Sequence, residues 1–413
     1  MRIRTLHRSP AMTWWKNKRK IVLGITGGIS AYKSPEILRG LIKARCEVEV
    51  VLTAAGERFV SPMVLSTLAG KRVWRQEDFL SDEMGWRIPH ISLADWADAV
   101  VVAPCTAETL SNLARGTGRE LLCSLVLAAQ SPVIVFPAMN VHMLAHPATE
   151  ENCEILKKRG VTVAEPETGS LACGYEGKGR LPGVGVIMEE LWKALCPSKS
   201  LEGKNVLVTA GPTWEYLDPV RFISNPSTGK MGYAMARTAW YRGARITFVH
   251  GPAEFSNLEG FSVRPVVSAL EMKKEVMAVS GEMDVIVKAA AVGDFRAAAL
   301  SGRKIKREKL DTMTIELEQN DDIAAALGKN KRPGQILVGF AAESHDLTEN
   351  AAAKLKNKNL DFIVANDITA ADAGFGADTN VVTLLDREGG AGEISGDKEE
   401  VADSLWKSIL REP

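Results

Sequence analysis

Apolar runs alternate with amphipathic segments along the first half of the chain. Residues 20–27 (KIVLGITG) predict a buried strand, 34–46 (SPEILRGLIKARC) an amphipathic helix, and 47–53 (EVEVVLT) a second strand. Further apolar strands are predicted at 99–103 and 133–136, each leading through a proline into a polar loop. This order is typical of a parallel sheet covered by helices.

The same order of elements begins again after a polar, turn-forming segment near Pro197. Residues 204–213 predict a strand and loop, 230–243 a helix closed by Gly243, and 244–252 the next strand. Later strands are predicted at 284–287, 335–340 and 361–365, with a helix at 347–358. We therefore predict an α/β fold of two doubly wound, Rossmann-like domains at 20–196 and 197–413, after an N-terminal extension, 1–19.

Composition excludes several classes of protein. A chain of 413 residues is too long for a single small binding module. Lys plus Arg and Asp plus Glu both total 51, so no general positive charge attracts nucleic acid or an anionic membrane. The six cysteines include no CxxC pair, and no apolar run reaches the roughly 20 residues of a membrane span. We expect a cytoplasmic protein without nucleic-acid or membrane partners.

The loop GITGGIS at 24–30 joins the first strand to a helix, where backbone amides can hold a phosphate. Its glycine spacing differs from GxGxxG, and the second strand ends in Thr53 rather than an acid. A nicotinamide dinucleotide is therefore disfavoured, and a mononucleotide phosphate stays open. A tight turn without a ligand is the alternative.

Three later segments and one histidine add chemistry to the first half. APCTAETLSNLARG begins at a strand end, FPAMNVHM places Asn140 and Met143 in a loop, and GSLACGYEGKGR predicts a glycine-rich flap around Cys173. A flap offers no core for Cys173 to fill. His90 precedes a short predicted helix, whose positive end favours neutral imidazole. His142 and His146 lack a third ligand, so we set a metal aside there.

These motifs, in this order, resemble the flavin-dependent phosphopantothenoylcysteine decarboxylase domain of the bifunctional coenzyme A biosynthesis enzymes. The resemblance implies FMN, with its phosphate on the first loop and near Thr53. It also implies that Cys173 donates the proton to the decarboxylated enethiol, that His90 acts as base or electrostatic helper, and that Asn140 binds the substrate carboxylate. Departures from the family stand at Cys105, Glu108, Arg119 and Glu120. The implied cofactor contacts are Gly27, Gly28, Ser30, Thr53, Pro104, Thr106, Glu108 and Met139.

The second half carries a long loop, 209–232 (TAGPTWEYLDPVRFISNPSTGKMG), that enters a helix at Lys230. It is not a Walker A motif, which requires glycine at position 224 and Ser or Thr at 231. Ser227 to Lys230 can nevertheless surround a phosphate. An acid at Asp294, the lysine-rich segment KIKREKL at 304–310, and further lysines follow predicted strand ends, which suits a triphosphate. A solvated charged surface is the alternative.

This half resembles the phosphopantothenate–cysteine ligase domain of the same enzymes. The resemblance implies that 4'-phosphopantothenate attacks the α-phosphate of CTP, and that the amine of L-cysteine then displaces CMP from the acyl-cytidylate. Lys304 would stabilise charge in the first step, and Asn225 would hold the acyl-cytidylate. Mg²⁺ would accompany the CTP phosphates. The implied substrate and CTP contacts are Ser227, Gly229, Lys230, Lys288, Ala289, Ala290, Asp294, Asp321, Asp322, Ile323, Ala324, Phe340, Lys354 and Lys358.

We therefore predict ligation in the second half and decarboxylation of the product, phosphopantothenoylcysteine, to 4'-phosphopantetheine in the first. The resemblance further implies a homo-oligomer, with trimeric decarboxylase domains, often as a dodecamer, and dimeric ligase domains. One alternative is a non-catalytic flavin-binding regulatory subunit, which would need neither Cys173 nor Lys304. Another is a nicotinamide oxidoreductase, disfavoured by the missing acid after the second strand.

Overall fold

The computed structural model describes residues 14–15, 17–81, 88–172, 174–306, 313–343, 347–367 and 377–412. The chain divides into two compact units, Trp14–Pro197 and Ser198–Pro413. Within the described residues, no helix combines the length and apolar character that crossing a membrane requires.

In the described part of the first unit, six parallel strands form a sheet in the order β3-β2-β1-β4-β5-β6. The strands are β1 (Lys20–Ile25), β2 (Glu47–Leu52), β3 (Val73–Arg75), β4 (Ala99–Cys105), β5 (Val133–Pro137) and β6 (Thr162–Val163). The helices are α1 (Ser34–Lys43), α2 (Pro62–Ala69), α3 (Pro89–Trp96), α4 (Ala107–Arg115), α5 (Leu121–Ala128), α6 (Val141–Leu144), α7 (Pro147–Lys158) and α8 (Val184–Leu195). Every residue of β4 is buried, as a central parallel strand between two helix layers requires.

The predicted α/β class and the main strands of this unit are confirmed, while several ends differ. The strand predicted to end at 103 continues to Cys105, so Pro104 belongs to β4 rather than to a loop. The first helix ends at Lys43 because Arg45 adopts a left-handed conformation, φ 62°. Met143, predicted in a loop, lies in the short helix α6.

The glycine-rich segment predicted as a flap forms an antiparallel hairpin of β7 (Glu167–Ser170) and β8 (Glu176–Arg180). Gly177 and Gly179 have φ of 154° and 149°, values that other residues rarely adopt. Gly177 and Gly179 therefore give β8 a backbone conformation that other residues would not favour. Cys173 falls between β7 and β8 in the sequence and lies outside the described residues.

The described part of the second unit contains an eight-stranded sheet in the order β13-β12-β9-β14-β17-β18-β19-β20. Its strands are β9 (Asn205–Ala210), β12 (Arg245–His250), β13 (Phe261–Pro265), β14 (Val285–Lys288), β17 (Ile336–Glu343), β18 (Phe362–Asp367), β19 (Thr379–Asp386) and β20 (Ala391–Asp397). Two hairpins pair β10 (Glu215–Tyr216) with β11 (Phe222–Ile223) and β15 (Phe295–Ala297) with β16 (Leu317–Gln319). Helices are α9 (Lys230–Tyr241), α10 (Ala269–Val279), α11 (Ile323–Lys329), α12 (Leu347–Asn357) and α13 (Lys398–Ile409).

Helices cover both faces of this sheet. Side chains from α10, α11 and α12 share one core with Leu207 of β9 and Ile286 of β14. Helices α9 and α13 pack against each other, where the indole Nε1 of Trp406 donates to the carbonyl of Met235 over 3.0 Å. The strands predicted at 284–287, 335–340 and 361–365 are confirmed with shifted ends. The antiparallel β19 and β20 extend the sheet beyond the prediction.

Candidate active sites

Loops from three neighbouring strands of the first unit meet at the carboxyl edge of its sheet. The hydroxyl of Thr26, after β1, donates to the carbonyl of Pro104 over 2.8 Å and accepts from the amide of Thr106 over 3.1 Å. The amide of Ala138, after β5, donates to the carbonyl of Cys105 over 3.0 Å. The predicted contact Pro104, near the end of β4, and the predicted contacts Thr106 and Met139, on the loops after β4 and β5, therefore lie on segments that hydrogen bonds hold together.

The glycines after β1 leave a backbone surface without side chains. A Cβ atom at Gly27 would stand 2.3 Å from the Cβ of Ala55, so only glycine permits this approach to the loop after β2. At Gly28, the nearest atom to such a Cβ is the methyl carbon of Thr106, at 3.4 Å. Ser30 is half-buried in the following helical turn, 29–33. This surface suits a phosphate group.

Thr53 faces inward. Its side-chain hydroxyl donates to the carbonyl of Ile25 over 3.3 Å and accepts from the amide of Gly56 over 3.1 Å, and the residue is 7% exposed. A hydroxyl has one proton to donate. Thr53 thus organises the loop after β2, and its one proton already has an acceptor.

The β7–β8 hairpin packs on the loop that carries Asn140. The amide of Met139 donates to the carbonyl of Gly179 over 3.0 Å, and a Cβ at Gly179 would stand 2.2 Å from the carbonyl oxygen of Met139. The Asn140 side chain caps α6 by accepting from the amide of His142 over 2.8 Å. The His142 ring meets Tyr175 edge-on at 5.3 Å. These contacts fix the hairpin beside the predicted carboxylate-binding residue.

His90 is the second residue of α3, and its ring meets Phe79 edge-on at 5.3 Å. Its Nδ1 is buried and has no hydrogen-bond partner in the part of the chain that the structure describes. Burial lowers the pKa of His90 from the ordinary value, so the imidazole is neutral at neutral pH.

Glu108 and Glu120, two of the departures from the family pattern, are electrostatically coupled. Burial raises the pKa of Glu120 at the start of α5, and the negative charge of Glu108 in the first turn of α4 raises it further. The Cys105 thiol is fully buried, and burial raises its pKa well above the ordinary range. Cys105 therefore serves as core rather than as a nucleophile. Sequence reasoning noted Glu108 and Glu120 separately and did not foresee their coupling.

In the second unit, Asn225 joins the loop after β9 to the loop after β14. Its side-chain amide donates to the carbonyls of Ala291 and Val292 over 3.2 and 3.3 Å. The amide of Gly293 donates to the hydroxyl of Thr213 over 2.9 Å, and the amide of Ala290 to that of Thr209 over 3.2 Å. The predicted acyl-cytidylate residue thus lies beside the predicted nucleotide loop.

The start of α9 has the backbone of a phosphate-binding turn. Gly229 caps the helix with φ 71°, and a Cβ there would stand 2.6 Å from the ring of Phe255 and 2.8 Å from the amide nitrogen of Gly211. The hydroxyl of Ser227 accepts from the amide of Gly229 over 3.3 Å. Lys230 is the first residue of the helix, so its ammonium group stands at the positive helix end.

A charged cluster surrounds the start of α11. Lys358 forms a 2.8 Å ion pair with Asp322, whose carboxylate also caps α11 by accepting from the amide of Ala325 over 3.0 Å. Burial lowers the pKa of Lys288 at the end of β14, where the charge of Lys358 adds to the effect and those of Asp322 and Asp294 oppose it. The structure therefore brings four predicted nucleotide residues into one electrostatic environment.

Other predicted nucleotide residues take varied positions. Asp321 points to Lys273, with which it forms a 2.6 Å ion pair. Ile323 and Ala324 are buried at the start of α11, Phe340 is half-buried in β17, and Lys354 precedes Lys358 by one turn at the end of α12. Ala289 is half-buried in the loop after β14. Among the described residues, no group of three or more His, Cys, Asp or Glu side chains could hold a metal ion.

Lys304 is exposed on the segment between β15 and β16, and Asp218 anchors this segment. The buried Asp218 carboxylate accepts from the amide of Ile305 over 3.0 Å and from the guanidinium of Arg221 over 3.1 Å. Burial alone would raise the pKa of Asp218, but hydrogen bonds from the amides of Ile305, Val220 and Arg221 hold it below its ordinary value.

Sequence reasoning quoted Asp218 within its motif but gave it no role. The Asp-Pro dipeptide followed by Arg221 was the available signal, because Asp commonly accepts from the amides two and three residues later. Here its carboxylate accepts from the amides of Val220 and Arg221 over 2.8 Å each.

Comparison with known proteins follows the division into two units. A family model described as "Flavoprotein" matches residues 12–195, and one described as "DNA/pantothenate metabolism flavoprotein C-terminal domain" matches residues 201–412. The chain is 44% identical over 381 residues to the Coenzyme A biosynthesis bifunctional protein CoaBC of Bacillus subtilis, covering 92% of this chain and 93% of the relative. It is 39% identical over 373 residues to the Escherichia coli K12 protein of the same description, covering 90% and 91%.

A solved structure of the C-terminal domain of a Coenzyme A biosynthesis bifunctional protein CoaBC is also similar to this chain. The two share 38% identity with a TM-score of 0.44, and the match covers 52% of this chain and 97% of that structure.

Proposed function

Because the chain belongs to the family of bifunctional coenzyme A biosynthesis proteins, which combine decarboxylase and ligase activity, we propose a division of labour between its two units. The first unit decarboxylates 4'-phosphopantothenoylcysteine, and the second forms it from 4'-phosphopantothenate, L-cysteine and CTP. The observation that carries this division is the presence of a separate site at the carboxyl edge of each sheet. A glycine cradle beside the Asn140 loop marks one, and the Lys288, Asp322 and Lys358 cluster marks the other.

For the first unit, we propose FMN as the flavin, with its phosphate on the backbone of Gly27 and Gly28. Bound flavin supplies the two-electron redox chemistry that makes loss of the carboxylate feasible. Asn140 orients the substrate carboxylate, and neutral His90 accepts a proton. Cys173 returns a proton to the decarboxylated product, since a thiol of ordinary pKa is mostly protonated at neutral pH.

For the second unit, Lys288 and Lys358 hold the phosphates of CTP together with Mg²⁺. A triphosphate would offset the cost of keeping Lys288 charged in its half-buried position. Lys304 stabilises the charge that develops as the substrate carboxylate attacks the α-phosphate. Asn225, bonded to the loop after β14, then holds the acyl-cytidylate while the amine of cysteine attacks.

The decisive experiment supplies CTP, cysteine and phosphopantothenate to purified protein and measures CMP and CO₂ separately. Cys173→Ser should stop formation of 4'-phosphopantetheine while CMP release continues, with Cys153→Ser on α7 as the control thiol. Lys304→Met should reduce CMP release, while decarboxylation of supplied phosphopantothenoylcysteine continues. Loss of both activities in either variant, with folding intact, would contradict the division.

We also propose a homo-oligomer, with trimeric contacts through the first unit and dimeric contacts through the second. Light scattering of the whole chain would give the mass of the assembly. A monomer that catalyses both ligation and decarboxylation at full rate would argue against a homo-oligomer.

A further inference from the structure

Asn320 is a buried residue at the base of the β15–β16 hairpin, where it is 9% exposed. Its Nδ2 donates to the carbonyl of Gly293 over 2.9 Å, and its Oδ1 accepts from the guanidinium of Arg296 over 2.8 Å. The backbone amide of Asn320 also donates to the carbonyl of Asp294 over 2.8 Å. Three hydrogen bonds of one residue therefore attach it to the segment that follows β14.

Asn320 stands where the hairpin meets α11. Phe295 pairs with Gln319 in the hairpin, so the bond from Asn320 to Asp294 continues the pairing by one residue. Two residues after Asn320, the carboxylate of Asp322 caps α11. Asn320 thus connects the loop after β14 directly to the start of α11.

The two segments that Asn320 connects both place a carboxylate near Lys288. The charges of Asp322 and Asp294 raise the pKa of Lys288 and so oppose the larger effect of burial. Asp322 also forms the 2.8 Å ion pair with Lys358. Because electrostatic attraction depends on distance, the separation of Asp294 from Asp322 determines the charge environment of Lys288.

Other contacts attach the loop after β14 to the loop after β9. The side-chain amide of Asn225 donates to the carbonyls of Ala291 and Val292, and the amide of Gly293 donates to the hydroxyl of Thr213. These bonds fix the loop relative to β9, whereas the bonds of Asn320 fix it relative to α11. Without the side chain of Asn320, the loop would keep its first attachment and lose part of its second.

We propose that Asn320 is a positioning residue of the ligase, which holds the loop of Asp294 at a fixed distance from α11 and so prepares Lys288 for the triphosphate of CTP. This inference rests on the proposed ligase function and deepens it. Asn320 acts through Gly293 and Asp322 rather than by contact with the nucleotide. Groups that are already in place bind a ligand more tightly, because less conformational freedom is lost on binding.

The test combines titration calorimetry of CTP and Mg²⁺ with steady-state ligation, both on the complete chain. Asn320→Ala removes two side-chain hydrogen bonds and should raise Kd and KM for CTP about tenfold. KM for L-cysteine and the rate of decarboxylation of supplied phosphopantothenoylcysteine should stay within about twofold of the unaltered chain. The matched control is Asn330→Ala, at the other end of α11, where the exposed Asn330 donates to the carbonyl of Ala326 over 3.0 Å.

A second variant, Asn320→Asp, separates the two side-chain bonds. It keeps an acceptor for Arg296 and replaces the donor to the carbonyl of Gly293 by a carboxylate oxygen, which cannot donate when ionised. CTP affinity should therefore fall at least as far as in Asn320→Ala. If Asn320→Ala does not fold, as thermal unfolding will show, Asn320→Asp decides the inference by the same comparison.

Equal CTP affinity in Asn320→Ala and Asn330→Ala would overturn the inference, as would unaltered CTP affinity in Asn320→Asp. A rise in KM for L-cysteine as large as that for CTP would overturn it too, because it would indicate general damage to the second unit. An unaltered chain that binds CTP but releases no CMP refutes the proposed ligase function by itself, and the calorimetric comparison still decides the role of Asn320. An unaltered chain that binds no CTP refutes both.

Discussion

The backbone amide of Met139 is hydrogen-bonded to the carbonyl oxygen of Gly179 over 3.0 Å. This bond connects the loop after β5, which carries Asn140, to the second strand of the glycine-rich hairpin. The close approach depends on the missing side chain at Gly179, since a Cβ there would stand 2.2 Å from the Met139 carbonyl oxygen. Two elements distant from each other in the chain are thus fixed by one glycine.

Gly179→Ala should therefore separate the hairpin from the Asn140 loop. The added methyl group collides with backbone, and φ of 149° is unfavourable for alanine. We expect decarboxylation to fall at least about tenfold while CTP-dependent ligation is retained, because the second unit is a separate compact body. The control is Gly169→Ala on β7, where a Cβ meets nothing closer than 3.5 Å. Equal losses in both variants would disprove this specific role of Gly179.

Acidification should destabilise the first unit partly through His90. Its folded-state pKa is below the ordinary value, so the unfolded chain binds a proton first as pH falls. The resulting loss of stability begins near the ordinary imidazole pKa, about 6.5, and continues to the lower folded pKa. Urea unfolding at about pH 7.5 and about pH 5 should show a smaller loss in His90→Asn than in the unaltered chain. His146→Asn, which replaces the Nδ1 acceptor of the α7 cap by an amide oxygen, should behave like the unaltered chain.

Asp218 should influence the ligase through Lys304. Asp218→Asn weakens the bonds that hold Arg221 and the Ile305 amide, at a cost of about 1–3 kcal/mol in unfolding free energy. We expect slower pyrophosphate release. If Asp218 acts by positioning the Lys304 segment, Lys304→Met should add little to the loss in rate caused by Asp218→Asn. Fully additive losses in activation free energy would show that the two residues act separately.

Breaking the buried ion pair of Arg242 and Asp403 should destabilise the second unit strongly. Both side chains are 2% exposed and lie 2.5 Å apart. Asp403→Asn leaves the buried guanidinium with Glu412, 3.7 Å away, as its counter-charge, which should cost about 3–5 kcal/mol. Glu399→Gln, which breaks the more exposed pair with Arg237, should cost less than about 1 kcal/mol. Denaturant unfolding of both variants measures the difference.

Sequence patterns predicted the central strands because those strands are buried on both faces and therefore consist of apolar runs. β20 was missed because its sequence, AGEISGD, has no such run, and its conformation depends on hydrogen bonds to β19. The two-residue β6 at the edge of the first sheet has too few residues to produce a pattern.

In the candidate sites too, local features were predictable and contacts between distant residues were not. Glycines and polar residues after strand ends were predictable, because parallel strands present their carboxyl ends at one edge. The contact of Asp218 with the amide of Ile305 was not, since the two residues lie 87 positions apart in the chain. Likewise, nothing in the local pattern indicated that the indole of Trp406 would donate to the carbonyl of Met235 across the α9–α13 contact.

The packing of α13 on α9 also determines when the second unit can fold during synthesis on the ribosome. Trp406 and Asp403 complete a core begun by Met235 and Arg242, more than 150 positions earlier in translation. The first unit can acquire its native contacts while synthesis continues, because folding of multidomain chains proceeds from the N-terminus. The second unit has to wait for its last helix, and a nascent chain interrupted before that helix would expose apolar surface to chaperones and proteases.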